Sequence, residues 1–453
     1  MILTGDKGFY KSLFLLALPI ALQNLLTYSL GLCDSIMVGR LSGGAVAGMY
    51  MGNQVQMLLQ VICTGIEGTV LVLATQFRGR GKHGAVREIA GIGVKLAFAL
   101  GAVSFGVCFF MPEGIVSLFA KSETIVGVGS DFLRVSSVSF IPFCISQALF
   151  ASMRSVSMPK VCLYTSLVTF SVNLIFNYVF IFGKFGAPAL GVAGAGYATV
   201  IARFCELVLI LGYVLFFDKK LGLSVGDILR IRCRLFPTFF KSGIPVILGQ
   251  VIWGINMLFS SFIIGNFGSD NVVSALGIAN TLYSLVYVCM YGISGAVGII
   301  IGKNIGEGKY QLIREYSRTA QIIFLAVGVL SGVAMLLLRN PFVSLYNIST
   351  EAEVEAKRFI LILSILIVGT AYQSATLSGI IKSGGDTSFV FKTDAFFVFL
   401  VVIPLALAAV RLKLPAYILF FALKSDQILK CPVAFIKVNR YRWMKNLAKD
   451  KVL

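Results

Sequence analysis

The sequence predicts an all-α polytopic membrane protein of twelve transmembrane helices, in two six-helix lobes related by a parallel internal repeat. Three observations carry that prediction. Of the 453 residues, 57% are hydrophobic and only 13% charged. The apolar residues come in long runs instead of amphipathic stripes, and the second half of the chain repeats landmarks of the first. A helix needs about 20 mainly apolar residues to cross a bilayer. Only helices and closed barrels satisfy their backbone in lipid, and a barrel would show alternating segments of about ten residues instead.

The first run, 12–38, is too long for the apolar core of a signal peptide and has no small-residue cleavage site after it, so the N-terminus is expected to stay. Pro19 within it removes a backbone hydrogen bond and clashes with the preceding turn, which predicts a bend. Runs at 46–76, 90–111, 130–153, 161–182 and 190–217 complete the first six spans. The segment from Phe216 to Phe240 is the longest polar, basic interruption and falls almost midway. Runs at 239–265, 272–301, 317–338, 359–381, 388–411 and 414–436 give the second six. The expected organisation is a lobe over 1–215, a basic linker over 216–240, and a second lobe with a basic tail over 241–453.

A shift of 226 to 227 residues aligns Pro19 with Pro245, Leu22 with Leu248, Gly39 with Gly265, Asn53 with Asn280 and Cys63 with Cys289. It also sets "GIEG" (65–68) on "GISG" (292–295), and "GRGK" (79–82) on "GEGK" (306–309). Six spans is an even number, so both copies enter the membrane in one orientation. Parallel repeats of this kind are a transporter architecture.

The net charge of +19 is explained by where the basic residues fall. With twelve spans, the side holding both termini collects 26 of them, including Arg78, Arg80, Lys82, Lys219, Lys220, Arg232, Lys303, Lys437, Lys449 and Lys451. The other side has nine: Arg40, Lys121, Arg134, Lys184, Arg339, Lys357, Arg358, Arg411 and Lys413. The positive-inside rule puts both termini in the cytoplasm, with anionic lipid, not nucleic acid, as the partner of the basic surface. The cysteines stand singly with no CxxC spacing, and His83 is the only histidine, which argues against disulfide or metal frameworks.

Several stretches resemble the multidrug and toxic compound extrusion transporters. They are the proline-bearing first span with "CDSIMVG", "QFRGRGK" after span two, "NLIFNYVFIFGKFGAPALGVAGAGYAT" (173–199), "IIKSGGDTS" after span ten, and the "KVNRYRWMKNL" ending. The similarity covers essentially the whole chain. It implies two six-helix lobes around a V-shaped cavity and export of organic cations and drugs in exchange for Na⁺ or H⁺. The chain departs from the pattern where many members carry a carboxylate in span seven, near Gln250 and Trp253 here, and where some carry one in span ten, near Thr370. Some members also pair an asparagine with an aspartate in span five, where this chain has Asn173 and Asn177. Coupling is therefore assigned to the first lobe, chiefly to Asp34.

Asp34 lies in the half of span one away from the termini. A charge near the bilayer centre costs about 2.5–3.5 kcal/mol on insertion scales, so it normally faces a cavity or a partner. A carboxylate there exchanges a proton or ligates Na⁺; the bland alternative is a structural hydrogen bond near the headgroups. Asn173 and Asn177, at i and i+4, project from one face. Their amide oxygens complete a cation site with Asp34, as the family's first-lobe site implies, or else they bond between helices for about 0.6 kcal/mol. Asn53, Gln54 and Thr199 lie at depths suited to polar support. Glu67 is read as a proton relay, a substrate counter-ion or the partner of a basic group such as Lys95. Glu206, Asp394 and Asp426 are expected to pair with Arg203, Lys392, Lys424 or Lys430.

Tyr283, Tyr287 and Tyr291 fall at i, i+4 and i+8, and with Gln250, Trp253 and Met290 they offer an aromatic wall suited to organic cations, or a packing stripe. The glycine turns lack the GxxxxGK[ST] spacing of a phosphate loop, so an ion gradient is the visible energy source. The reading is a monomeric secondary antiporter of the plasma membrane for amphipathic, cationic small molecules, with H⁺ or Na⁺ as coupling ion and no cofactor. Its rivals are a flippase for lipid-linked sugars and, in another class, an integral-membrane enzyme.

Overall fold

In the computed structural model of the protein, residues 3–40, 43–118, 122–230, 234–267, 270–346 and 348–448 are described. Of the basic residues weighed for topology, Lys121, Arg232, Lys449 and Lys451 lie outside them. The first half runs through α1 (Lys7–Gly39), α2 (Gly43–Gly79), α3 (His83–Phe110), α4 (Pro112–Val116), α5 (Glu123–Ser137), α6 (Phe140–Ser155), α7 (Pro159–Phe182) and α8 (Gly191–Gly212). A short linker helix, α9 (Val225–Leu229), precedes α10 (Phe236–Phe267), α11 (Asp270–Glu307), α12 (Tyr310–Val343) and α13 (Thr350–Ala375). The chain ends with α14 (Thr387–Phe397), α15 (Ile403–Arg411), α16 (Ala416–Leu423) and α17 (Asp426–Asn439). Three π-helical stretches, Tyr213–Phe217, Thr376–Lys382 and Val398–Val402, extend α8, extend α13 and join α14 to α15.

Among the described residues, ten helical stretches, three of them continuing through π-helical segments, are long and apolar enough to cross a membrane, and α5 with α6, bent by 53°, makes an eleventh when the pair is counted as one span. The bend has a local cause. The Ser137 hydroxyl donates to the Arg134 carbonyl at 2.8 Å and that of Ser139 to the Ser136 carbonyl at 2.6 Å, offering carbonyls an alternative to the helical ladder. Pro142, in the first turn of the next helix, has no backbone N–H to offer. The twelfth expected span, 414–436, is two helices, α16 and α17, because Lys424, Ser425 and Asp426 interrupt the apolar run.

The chain divides into two compact units, and the borders fall inside helices. One unit is Leu22–Gly243; the other joins Met1–Ala21 to Ile244–Asp450. Helix α1 runs unbroken through Pro19 and crosses the border two residues later, and α10 crosses it two residues before Pro245. In the Leu22–Gly243 unit, α2 packs on α3, α5 and α6, and α8 on α5, α6 and α7. The basic linker docks there too. Lys95 Nζ donates to the Arg230 carbonyl at 2.6 Å, and Glu88 accepts the Leu235 N–H at 2.9 Å.

In the other unit α13 packs on α11, α12 and α17. The turn after α13 and the tail meet closely. Trp443 is fully buried, its Nε1–H donating to the Val438 carbonyl at 2.7 Å, and a Cβ on Gly384 would collide with its ring. Gly385 (φ +95°) occupies a backbone region that glycine alone adopts freely. The Lys445 N–H donates to the Gly384 carbonyl at 2.8 Å. Asp386 binds the ammonium groups of Lys437 and Lys445, each at 2.7 Å.

Candidate functional site

The end of α1 is fixed by an apolar cluster. Val38 is fully buried against Met49 of α2, Phe132 of α5, Ile181 of α7 and Ala195 of α8. One turn earlier on the same face, Asp34 is thereby turned toward α7. There, Thr165, Thr169, Asn173, Asn177 and Ile181 recur every fourth residue, all buried, as one stripe. The Asn177 amide Nδ2 donates to Asp34 Oδ1 at 2.5 Å and to Asn173 Oδ1 at 2.9 Å.

That arrangement leaves two buried polar atoms, Asn177 Oδ1 and Asn173 Nδ2, without a protein partner. Buried polar groups are nearly always satisfied, so an orphaned pair calls for an explanation. An ionised Asp34 dictates the amide's orientation, because it accepts only and must face the NH₂ group. A carboxylate beside a spare amide carbonyl is a donor set for a proton or a hard monovalent cation. The structure thus brings Asp34, Asn177 and Asn173 together, the two asparagines sharing a face as their spacing predicts. Thr199 is buried on α8, and Asn53 and Gln54 are partly buried on α2.

One turn further along α8 from Thr199, the Arg203 guanidinium binds both Glu206 oxygens, at 3.2 and 2.9 Å, and lies 4.8 Å from the Phe143 ring centre. This is the pairing expected for Glu206. Asp394 and Asp426 both pair with Lys430, at 2.8 and 3.0 Å, which selects one of the three lysines proposed for them. Glu67 has a different partner from the lysine suggested. Lys95 is taken by the linker carbonyl of Arg230, and Arg154 of α6 stands 3.9 Å from Glu67 instead. Arg154 also donates to Gln23 of α1 at 2.7 Å. Neither Arg154 nor Gln23 was singled out in the sequence; the available signal was a lone glutamine four residues past Pro19 in an apolar run.

In the second unit the tyrosines do form a ladder. Tyr283 and Tyr287 stack at 5.4 Å with planes 10° apart, and Tyr291 meets Tyr287 edge-on at 4.9 Å. Trp253 on α10 is half exposed and Gln250 partly buried. Met290 is 1% exposed and Tyr287 8%, so both belong to the buried core of the unit and not to an open wall, whereas Tyr291 is exposed.

The MatE family model matches residues 19–179 and 245–408 of the chain. The chain belongs to the MatE family of transporters. The match takes each half once, the two segments starting 226 residues apart, which is the period of the internal repeat. Among MatE relatives, the "Probable multidrug resistance protein NorM" of Neisseria meningitidis serogroup B is 25% identical over 334 residues, 73% of this chain and 72% of the relative. The "Uncharacterized transporter YisQ" of Bacillus subtilis is 26% identical over 392 residues, 85% and 84% of the two chains. Solved MATE structures share the fold. A mutant of the Vibrio cholerae MATE transporter VcmN matches with a TM-score of 0.87 at 18% identity, covering 97% of this chain and 98% of that one. The eukaryotic MATE transporter AtDTX14 matches at 0.86 and 19% identity, covering 98% and 99%. This MatE protein is therefore a multi-pass membrane transporter and not an enzyme.

Proposed function

We propose that this MatE protein is a cation-coupled antiporter, in which entry of H⁺ or Na⁺ drives export of amphipathic, cationic small molecules across the plasma membrane, with both termini cytoplasmic. The observation that carries the reading is Asp34. A carboxylate five residues before the end of a membrane-spanning helix is held by one amide donor, with the carbonyl of that same amide left spare beside it. When the site is empty, Asp34 is charged and Asn177 presents its NH₂ group. A bound proton turns Asp34 into a donor, to which the amide answers with its oxygen after a flip. A bound Na⁺ takes the carboxylate and that oxygen together. Either way Asn177 reports occupancy of Asp34 to α7, and Asn173 steadies it.

The substrate class is supported by the exposed Tyr291 and the partly exposed Tyr283 of α11, aromatic rings of the kind that attract organic cations, and by the multidrug-resistance names of the NorM relatives. The energy suffices. One charge moved through 100 mV is worth about 2.3 kcal/mol, or roughly fifty-fold accumulation per net charge.

The test is efflux of a fluorescent organic cation from energised vesicles containing wild type or Asp34→Asn, under separately imposed Na⁺ and pH gradients. Wild type is expected to export under one gradient, and the variant to lose that dependence. Normal gradient-driven export by Asp34→Asn would remove Asp34 from coupling. Failure of wild type to move any cation under either gradient would overturn the substrate class.

A further inference from the structure

Helix α1 changes its neighbours within two residues. Up to Ala21 it is seated on α11: a Cβ on Gly292 would stand 2.6 Å from the Ala17 carbonyl oxygen and 2.7 Å from the Ala21 methyl, so only glycine admits the approach. Ile20 lies against Gly295 beside it. From Leu22 onward α1 belongs to the other unit. Gln23 is the first polar side chain after Pro19, it is 3% exposed, and its Oε1 accepts the 2.7 Å hydrogen bond from Arg154 Nη2. Arg154 is thus a polar tether on α1 placed immediately past the point where the helix changes sides.

That tether is incompletely satisfied. A guanidinium has five N–H donors and no acceptor. Arg154 spends Nη2 on Gln23, holds Nη1 at 3.9 Å from Glu67 of α2, and keeps Nε buried with no partner. Gln23 and Glu67 therefore draw on one cation. The other titratable groups nearby are Cys63 one turn away on α2, Cys144 of α6 beside it, and Cys162 of α7. On α3, Lys95 and Glu88 are engaged by linker backbone, and Asp131 and Arg134 of α5 are exposed. Arg154, 3.9 Å away, is the cation paired with Glu67.

We propose that Glu67, Arg154 and Gln23 form a charge-operated latch on α1, in which Arg154 is the positioning residue that holds the helix at Gln23 and protonation of Glu67 releases it. With Glu67 ionised, the partly buried guanidinium has a counter-charge and stays on Gln23. With Glu67 neutral, Arg154 loses that counter-charge while its Nε stays buried and unpartnered, a state costly enough that water or rearrangement must supply the missing partner. The latch then opens, and α1 beyond Ala21 loses its polar anchor while its earlier turns stay seated on Gly292. This inference goes beyond the coupling role of Asp34 and does not need it.

Hydrogen–deuterium exchange of the α1 segment 20–28, in lipid nanodiscs and corrected for intrinsic rates, tests the latch without a transport assay. Wild type is expected to exchange about tenfold faster at acid than at alkaline pH, the scale set by losing one hydrogen bond to a charged group. Glu67→Gln should exchange at the fast level at every pH, and Glu67→Asp should keep a pH response. Arg154→Gln should be fast and pH-independent. A merely structural network would speed exchange in all variants and leave the pH response intact, which overturns the proposal. So does a wild type whose α1 exchange ignores pH, an outcome that needs no variant to fold. Loss of the Asp34 coupling phenotype leaves this measurement untouched, so the two readings fail separately.

Discussion

Replacing Gly292 with alanine isolates the seat of α1. The added Cβ would lie 2.6 Å from a backbone oxygen and 2.7 Å from the Ala21 methyl, whereas comfortable contact between heavy atoms is about 3.5–4.0 Å. The close atoms include main chain, so no rotamer change relieves them, and α1 must back away by about 1 Å. Such overpacking costs about 1–3 kcal/mol. Alanine also gains up to about 1 kcal/mol of helix propensity over glycine, which would mask part of the loss. Gly277→Ala, on the same helix with nothing within 4 Å of its new methyl, carries the propensity gain alone. The difference between the two variants therefore reports the clash, at about 1–3 kcal/mol in favour of Gly277→Ala. Equilibrium unfolding in mixed micelles measures it, and equal stability of the two variants would show that α1 is not seated on Gly292.

Other outcomes follow from the same geometry. Asn177→Ala strips Asp34 and Asn173 of their shared donor, a loss of about 1.5–3 kcal/mol for the bond to a charged group, so efflux at a subsaturating gradient should fall about tenfold or more. Asp386 is buried, which alone would push its carboxyl up, yet Lys437 and Lys445 hold it below the usual carboxylate range. A depressed carboxyl stabilises above its unfolded value and fails as pH drops through the folded one. In a Trp253→Phe background, Trp443 emission should accordingly stay constant until pH falls below about 4 and then shift red, while Asp386→Asn should be red-shifted throughout. Lys95→Ala should speed tryptic cleavage in the linker near Arg230 and leave transport unchanged, because that lysine serves the linker and not Glu67.

Legibility in the sequence followed the range of the interaction. The apolar runs located the spans, because lipid acts on each helix by itself. Their interruptions were less visible: the bend between α5 and α6 arises from serine hydroxyls within an otherwise apolar run, and the break before α17 from three polar residues at 424–426. Asn173 and Asn177 were readable as neighbours because four residues is one helical turn, and their meeting with Asp34 was implied by resemblance. Glu67 and Arg154 lie on different helices, and nothing local marks them as partners. Lys95 was the nearer guess along the chain, but the linker backbone had already claimed it. The segments "IIKSGGDTS" and "KVNRYRWMKNL" signalled the family separately, and the structure gives one reason for both: Gly384 and Gly385 are small so that Trp443 and Lys445 can lie on them.

The placement of the unit borders inside α1 and α10 bears on how the protein is made. A ribosome releases α1 first, yet its opening turns have their packing partner, Gly292, some 270 residues downstream. Those turns must wait in the membrane until α11 has been inserted. The repeat halves are therefore not self-sufficient products of a duplication: cutting the chain in the linker would hand each fragment a helix whose end belongs to the other, and assembly from two pieces would require that exchange to be completed between separate molecules.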